Sequence, residues 1–389
     1  MFGMQERRTE LDVIRLVVVL GLVFFHASLV FDSRDDYYVK NAETTDVTTF
    51  IAGLCVVWAM PALFLIAGIG WYHSLRRRGA RGLAVERLLR LGVPLLFAIL
   101  TILPVPQWLR WRAADPGYHD PYWRFLLDFY DVRISLTDFP FLLDGEHFET
   151  GHLWFVVLLL AFSLMLAAVA AWAPLDRARR ASDALASATR RRGVVLLPAI
   201  PLAVIGAVLG MEESFAGWSR WAYLLLFVYG VVLAGDDRFR VAMRRDALPA
   251  AVLGVVLFLA AGAGLSAAEG DAFVDMETPA VLGRIAFGLA GWCWLVAILG
   301  LLDRPRKRKE EAPGRGRSVY AYLGTAALPL YILHQPIVVA AAYLVVGRSA
   351  PMVVKYLVIV VVSFVVMFAV YDLLVRRTRV TRFLFGIRP

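Results

Sequence analysis

Arg15 and His26 stand eleven residues apart inside LDVIRLVVVLGLVFFHASLVF, residues Leu11 to Phe31, with Asp12 beside them. A run of about 20 apolar residues crosses a bilayer, and an ionisable group within it needs a reason to be there. Eleven positions are close to three turns of helix, so Arg15 and His26 share one face with Val19 and Leu22. Lipid does not tolerate such a stripe. It is expected to face a protein interior or a wet cavity, its two ends roughly 16 Å apart, and that cavity is the candidate active site.

Three further places break the apolar pattern. In AVERLLRLGVP, Arg87 and Arg90 are three residues apart and share a face, with Pro94 free to kink the helix beyond them. Two guanidinium forks suit a polyphosphate such as the nucleotide end of coenzyme A, although arginines at a helix end also mark topology. In ALPLYILHQPIV, His334 follows Tyr331 by one turn, and Pro329 and Pro336 bracket them. Proline within a span frees a backbone carbonyl, so a broken helix lining a cavity is expected there. In GHLWFVVLLLAF, His152 and Trp154 open a span, where an interfacial anchor accounts for both.

His26 and His334 both fall in the outer half of their spans. Two histidines without a clustered third ligand make a poor metal site, and His73, His119 and His147 belong to differing loops, so no metal is expected. Acid and base chemistry fits better. A buried neutral imidazole takes a proton from a hydroxyl as it attacks an acyl carbonyl, while the second histidine or Tyr331 orients the first or holds the oxyanion. No Gly-x-Ser-x-Gly elbow, phosphate loop or dinucleotide fingerprint supports another enzyme class.

The elements that must position these residues are membrane spans. The 389 residues are 60% hydrophobic and only 19% charged, and the mean hydropathy of +0.65 is that of an all-α, polytopic helical membrane protein. Ten apolar segments run from Leu11 to Phe31, Phe50 to Trp71, Leu88 to Val105, His152 to Ala173, Val194 to Gly210, Trp218 to Ala234, Leu248 to Leu265, Val281 to Leu302, Val319 to Val346 and Met352 to Val375. The connections alternate strictly between basic and acidic or neutral, and 30 of the 41 Lys and Arg fall on the basic side. That side is expected to be cytoplasmic, with both termini on it. The net charge of +9 therefore reports topology rather than nucleic-acid binding. Cys55 and Cys293 both sit in apolar runs, leaving neither a disulfide framework nor a cysteine zinc site. The first segment is too long and too interrupted for a signal peptide and is expected to be retained.

One domain is expected over 1–389. Its longest outer connection, 106–151, carries Trp108, Trp111, Tyr118, Tyr122, Trp123 and Tyr130 among eight acids, a mix suited to an interfacial aromatic belt or to gripping sugar rings. A basic linker over 303–318, rich in Pro and Gly, suits anionic lipid headgroups.

Arg15 and His26 within LDVIR followed by HASL resemble the first-span signature of the acyltransferase 3 family of membrane acyltransferases. MPALFLIAGIG, VERLLRLGVPLL, GHLWFVVLLL and LPLYILHQPIV resemble its later blocks in the same order, closest to the branch of the periplasmic glucan biosynthesis protein C. Ala67 departs from the serine of many relatives and is given no role. The resemblance implies transfer of an acyl group, of acetyl or succinyl class, from cytoplasmic acyl-coenzyme A to a hydroxyl of an extracytoplasmic glycan or glycan-like acceptor, in the inner (cytoplasmic) membrane. It implies His26 as the base or a transient acyl carrier, Arg15 as a group that stabilises or positions the donor, and Arg87 and Arg90 as holders of the coenzyme A phosphates. No permanently bound cofactor is implied.

Two other classes fit parts of the pattern. A secondary transporter also uses many spans and buried ionisable groups, with Asp12 and Arg15 as an ion pair, but it should carry an inverted repeat, and none is detected. A scaffold needs no buried histidine.

Overall fold

The computed structural model describes residues 9–172, 175–303 and 315–387, and they are almost wholly helical. With no water in the bilayer core, a spanning backbone must satisfy its own N–H and C=O groups, which a helix does within one segment. In chain order the helices are α1 (Thr9–Leu29), α2 (Asp46–Val56), α3 (Ala59–Arg87), α4 (Val93–Thr101), α5 (Pro104–Ala114), α6 (Tyr122–Phe129), α7 (Trp154–Trp172) and α8 (Leu175–Ala188). There follow α9 (Ala199–Leu209), α10 (Arg220–Leu233), α11 (Asp237–Ser266), α12 (Thr278–Leu302), α13 (Arg315–Val345), α14 (Met352–Val370) and α15 (Arg379–Leu384). The only sheet among the described residues is a two-residue antiparallel ladder, Arg133–Ile134 with Leu143–Asp144.

Eight helical stretches among the described residues are long and apolar enough to cross a membrane, where the sequence suggested ten segments. Two causes account for the difference. Val194–Leu209 is apolar but short, and the stretch Asp46–Ala114 holds two expected segments without a connecting loop. That stretch is broken from within: Gly79 leaves helical geometry at φ 69°, residues Leu88–Gly92 form a π-helical turn, and Pro94 follows directly in the first turn of α4. The basic linker expected over 303–318 lies, apart from its ends, outside the described residues.

The chain divides into two compact units. The first takes the described residues of 1–15, 54–83 and 165–314. Its contacts are backbone-close: a Cβ on Gly68 of α3 would meet the Phe227 carbonyl of α10, and one on Gly264 of α11 would stand 2.8 Å from Gly283 of α12. Small residues at such crossings let helices associate in lipid, where no hydrophobic drive brings them together. The outer stripe of α11, Leu248, Val252, Val256 and Leu259, is exposed and apolar, as a lipid-facing surface must be. Arg284, buried on α12, escaped the sequence reading; its guanidinium donates to the carbonyls of Ala272 (3.2 Å) and Asp275 (2.8 Å) and pins the preceding loop.

The second unit takes 16–53, 84–164 and the described residues from 315. The spanning stretch of α13 is 67% buried, whereas that of α14 is 22% buried and presents Val353, Leu357, Val361 and Val365 outward. Contrary to the expectation of a broken helix, α13 runs unbroken through Pro329 and Pro336. A spanning helix survives proline where another group takes up the freed carbonyl. At Pro336 that group is a histidine from another element.

Candidate active site

Three histidines of the second unit meet in one cluster. His26 comes from the last turn of α1, His152 from the short 3-10 turn that leads into α7, and His334 from the middle of α13. Ring centroids are 5.0 Å apart for His26 and His334 and 4.8 Å for His152 and His334. His334 is fully buried and His152 nearly so, with His26 less enclosed. His152 is therefore not an exposed interfacial anchor: it is buried, and hydrogen bonds to Ile332 and Gln335 of α13 hold it as the third imidazole.

Backbone carbonyls fix which nitrogen of each buried ring bears hydrogen. A proline at position 336 has no N–H for the carbonyl of Ile332, four residues earlier, and His152 Nε2 lies 3.1 Å from that oxygen. A carbonyl only accepts, so Nε2 donates and His152 Nδ1 keeps its lone pair. His334 Nδ1 donates in the same way to the Tyr331 carbonyl, which leaves Nε2 as the unprotonated nitrogen. His152 Nδ1, His334 Nε2 and His26 Nδ1 are all buried without a hydrogen-bond partner. Orphaned buried polar atoms are costly, and three of them meet in this cluster.

Tyr331 was expected to orient a histidine or hold an oxyanion. Its hydroxyl donates to the backbone carbonyl of His152, so its proton is committed to holding the turn that carries the histidine. Gln335 acts on the same turn, its Oε1 accepting from the His152 N–H at 2.9 Å. Gly151 is in the left-handed region at φ 46°, and a Cβ there would stand 2.9 Å from the Tyr38 hydroxyl, so only glycine lets this turn form.

The cluster adjoins an open cavity of about 780 Å³. Tyr37 belongs to both: it lines the cavity, and its ring stacks on His26 at 5.8 Å with the planes 24° apart. Glu149 accepts from Gln107 Nε2 (2.6 Å) and Arg110 (3.1 Å), with the Tyr38 hydroxyl at 3.4 Å, and Arg110 also pairs with Asp36 at 2.6 Å. Burial pushes the Tyr37 phenol well above its ordinary pKa, helped by Tyr38 and Asp35 and opposed by the Gln335 side chain. Tyr38 moves the same way, through burial first and then the Glu149 charge. Both phenols stay protonated.

The loop carrying these tyrosines is tied down. Asp32 accepts from the amides of Arg34 (2.9 Å) and Asp35 (3.1 Å) and from the Thr49 hydroxyl (2.8 Å). Burial works against that carboxylate, but those donors, with Thr48, hold it below the ordinary carboxylate range. Lys40 donates to the carbonyls of Leu29 and Asp32, and Lys355 Nζ reaches Asn41 Oδ1 at 2.9 Å.

The remaining expected residues lie elsewhere. Arg15, eleven residues before His26 on the unbroken α1, pairs with Asp12 at 3.3 Å. Arg87 and Arg90 flank Glu86, each 3.7 Å from its carboxylate, at the junction of α3 with the π-helical turn. Arg87 ends α3 and Arg90 lies within the π-helical turn. Among the described residues, no group of three His, Cys, Asp or Glu is arranged to hold a metal ion.

Compared with known proteins, residues 8–372 match the family model of an acyltransferase domain, that of the acyltransferase 3 family. No curated protein and no solved structure matches the chain significantly.

Proposed function

The chain belongs to the acyltransferase 3 family and is a multi-pass membrane acyltransferase, and from that premise we propose that it moves an acyl group of acetyl or succinyl class from cytoplasmic acyl-coenzyme A to a hydroxyl of an extracytoplasmic glycan or glycan-like acceptor. The observation that carries this reading is the meeting of His26 with His334 beside the cavity-lining Tyr37. On this reading the first supplies the base, the second supports it, and the cavity is the approach for a ligand.

In the proposed reaction His26 takes the proton of the acceptor hydroxyl as its oxygen attacks the thioester carbonyl. The tetrahedral intermediate then collapses, the C–S bond breaks, and the same proton passes to the departing thiolate. His334, its Nδ1–H held by a carbonyl and its ring 5.0 Å from that of His26, supports the imidazolium that forms. Arg87 and Arg90 bind the donor phosphates, with Glu86 spacing the two guanidinium groups until the anion arrives. Arg15 positions the donor further along the same helix.

The basic connections support cytoplasmic termini in the inner membrane, and the ordered sequence blocks support the glucan biosynthesis protein C-like branch. The partners on this account are acyl-coenzyme A, the hydroxyl acceptor and membrane lipids, with no nucleic acid. The test is release of coenzyme A thiol from acetyl- and succinyl-coenzyme A by the purified protein, with and without added saccharide. Release that saccharide stimulates supports the reading and ranks the donors; no release from either donor, together with no saturable donor binding, overturns it.

A further inference from the structure

The walls of the 780 Å³ cavity carry more selectivity than acyl transfer by itself requires. One wall is aromatic: the rings of Trp111 and His147 are 4.8 Å apart, and Phe125 stands behind His147 at 5.9 Å. Trp111 comes from α5, while His147 and Phe125 come from the connection that follows. The lining is also carboxylate-rich, with Asp36, Glu146 and Glu149 all facing the cavity.

Among the described residues that line it, the Lys and Arg are two, Lys40 and Arg110, and both are already engaged. Arg110 divides its guanidinium between Asp36 and Glu149. Lys40 turns its ammonium to the carbonyls of Leu29 and Asp32. An anionic ligand would meet three carboxylates and no uncommitted positive charge, and like-charge contact is strongly unfavourable. A neutral polyol meets none of that cost. Its hydroxyls donate to carboxylate oxygens, and the apolar C–H face of a pyranose ring lies well on an indole.

We propose that this cavity is an acceptor subsite for an uncharged saccharide, with Trp111 as the stacking wall, Glu149 as the hydroxyl acceptor and the Arg110 network as the device that rejects acidic sugars. Its volume is in the range of sites that hold small ligands. Tyr37 marks the end nearest the chemistry, since it lines the cavity and its ring stacks on His26. The proposal rests on the acyl-transfer reading for its purpose but not for its test.

The test is equilibrium binding to the purified full chain in detergent, read by saturation-transfer NMR, with maltotriose as the neutral probe and trigalacturonate as the acidic one. Wild type and His26→Ala are expected to bind maltotriose alike and trigalacturonate at least about tenfold more weakly. Trp111→Ala is expected to weaken maltotriose about tenfold. The double variant Asp36→Asn with Glu149→Gln, which releases Arg110, is expected to bind trigalacturonate at least about tenfold more tightly than wild type does. Elution as a single species on gel filtration shows that each variant is folded. No binding of maltotriose, equal binding of the two probes, or a Trp111→Ala variant that is folded and binds as wild type would overturn the proposal. Acyl transfer is read separately by thiol release, so either account fails without the other.

Discussion

Pro336 determines the hydrogen bond of His152. The proline leaves the Ile332 carbonyl without its helical donor, and the imidazole Nε2–H of His152 occupies that oxygen at 3.1 Å. One residue on α13 thus sets the tautomer of a histidine carried by another element. The freed carbonyl that a proline normally costs a helix becomes the device that aims a ring.

Restoring the missing donor should release that ring. Pro336→Ala gives Ile332 O a competing backbone N–H, so the helix should be no less stable while kcat falls about tenfold with donor KM unchanged. Thermal unfolding and initial rates on the same preparation check both halves. A variant that loses activity and stability together would point to simple disruption instead.

Gly151→Ala puts a Cβ 2.9 Å from the Tyr38 hydroxyl at a residue with φ 46°. The expected cost is about 1–2 kcal/mol of stability, read as a lower unfolding midpoint, with activity lost beyond what unfolding explains. Unchanged stability would mean that the turn carries no strain.

Removing both Arg87 and Arg90 as Ala should raise donor KM by about 10- to 100-fold with kcat little changed, because a charge-assisted contact of this kind is worth roughly 1.5–3 kcal/mol. Glu86→Gln, which takes away the carboxylate between them, should leave donor KM unchanged or lower it. A raised KM in Glu86→Gln would show that the carboxylate is needed to hold the arginines in place.

Asp32 gives a pH signature. Its carboxyl is held below the ordinary value of 3.8, so its contribution is fully present above that value and is lost as pH falls through the lower folded-state value. Wild type should therefore exceed Asp32→Asn in unfolding midpoint at pH 7, by the equivalent of about 1–2 kcal/mol, with the gap closing towards acid. A gap constant with pH would rule out the charge as its source.

Much of this was legible in residue type and spacing, because lipid makes any buried ionisable group conspicuous: His26 and His334 stand out as breaks in apolar runs. The helical spacing of Arg15 and His26 was legible too, since α1 is unbroken from Thr9 to Leu29. His152 was not legible, since a histidine at the first residues of a span satisfies the interfacial pattern equally well, and only the long-range contact with Ile332, 180 residues on, distinguishes the two. At Asp46–Ala114 the two apolar segments read from the sequence are joined by their basic stretch as helix rather than loop, interrupted only by the left-handed Gly79 and the π-helical turn at Leu88–Gly92. Tyr37 lay in a short polar connection whose fold depends on Asp32 and Lys40 reaching backbone groups, a pattern without periodicity.

The central claim is that His26 performs the proton transfer. Its most direct test is the rate of coenzyme A thiol release at saturating acetyl-coenzyme A and saccharide for His26→Ala beside wild type, with coenzyme A binding measured on the same samples. The account predicts a fall of about 10²- to 10⁴-fold in rate with coenzyme A affinity within about twofold of wild type. A His26→Ala protein that binds donor normally and turns over within about threefold of wild type would contradict it.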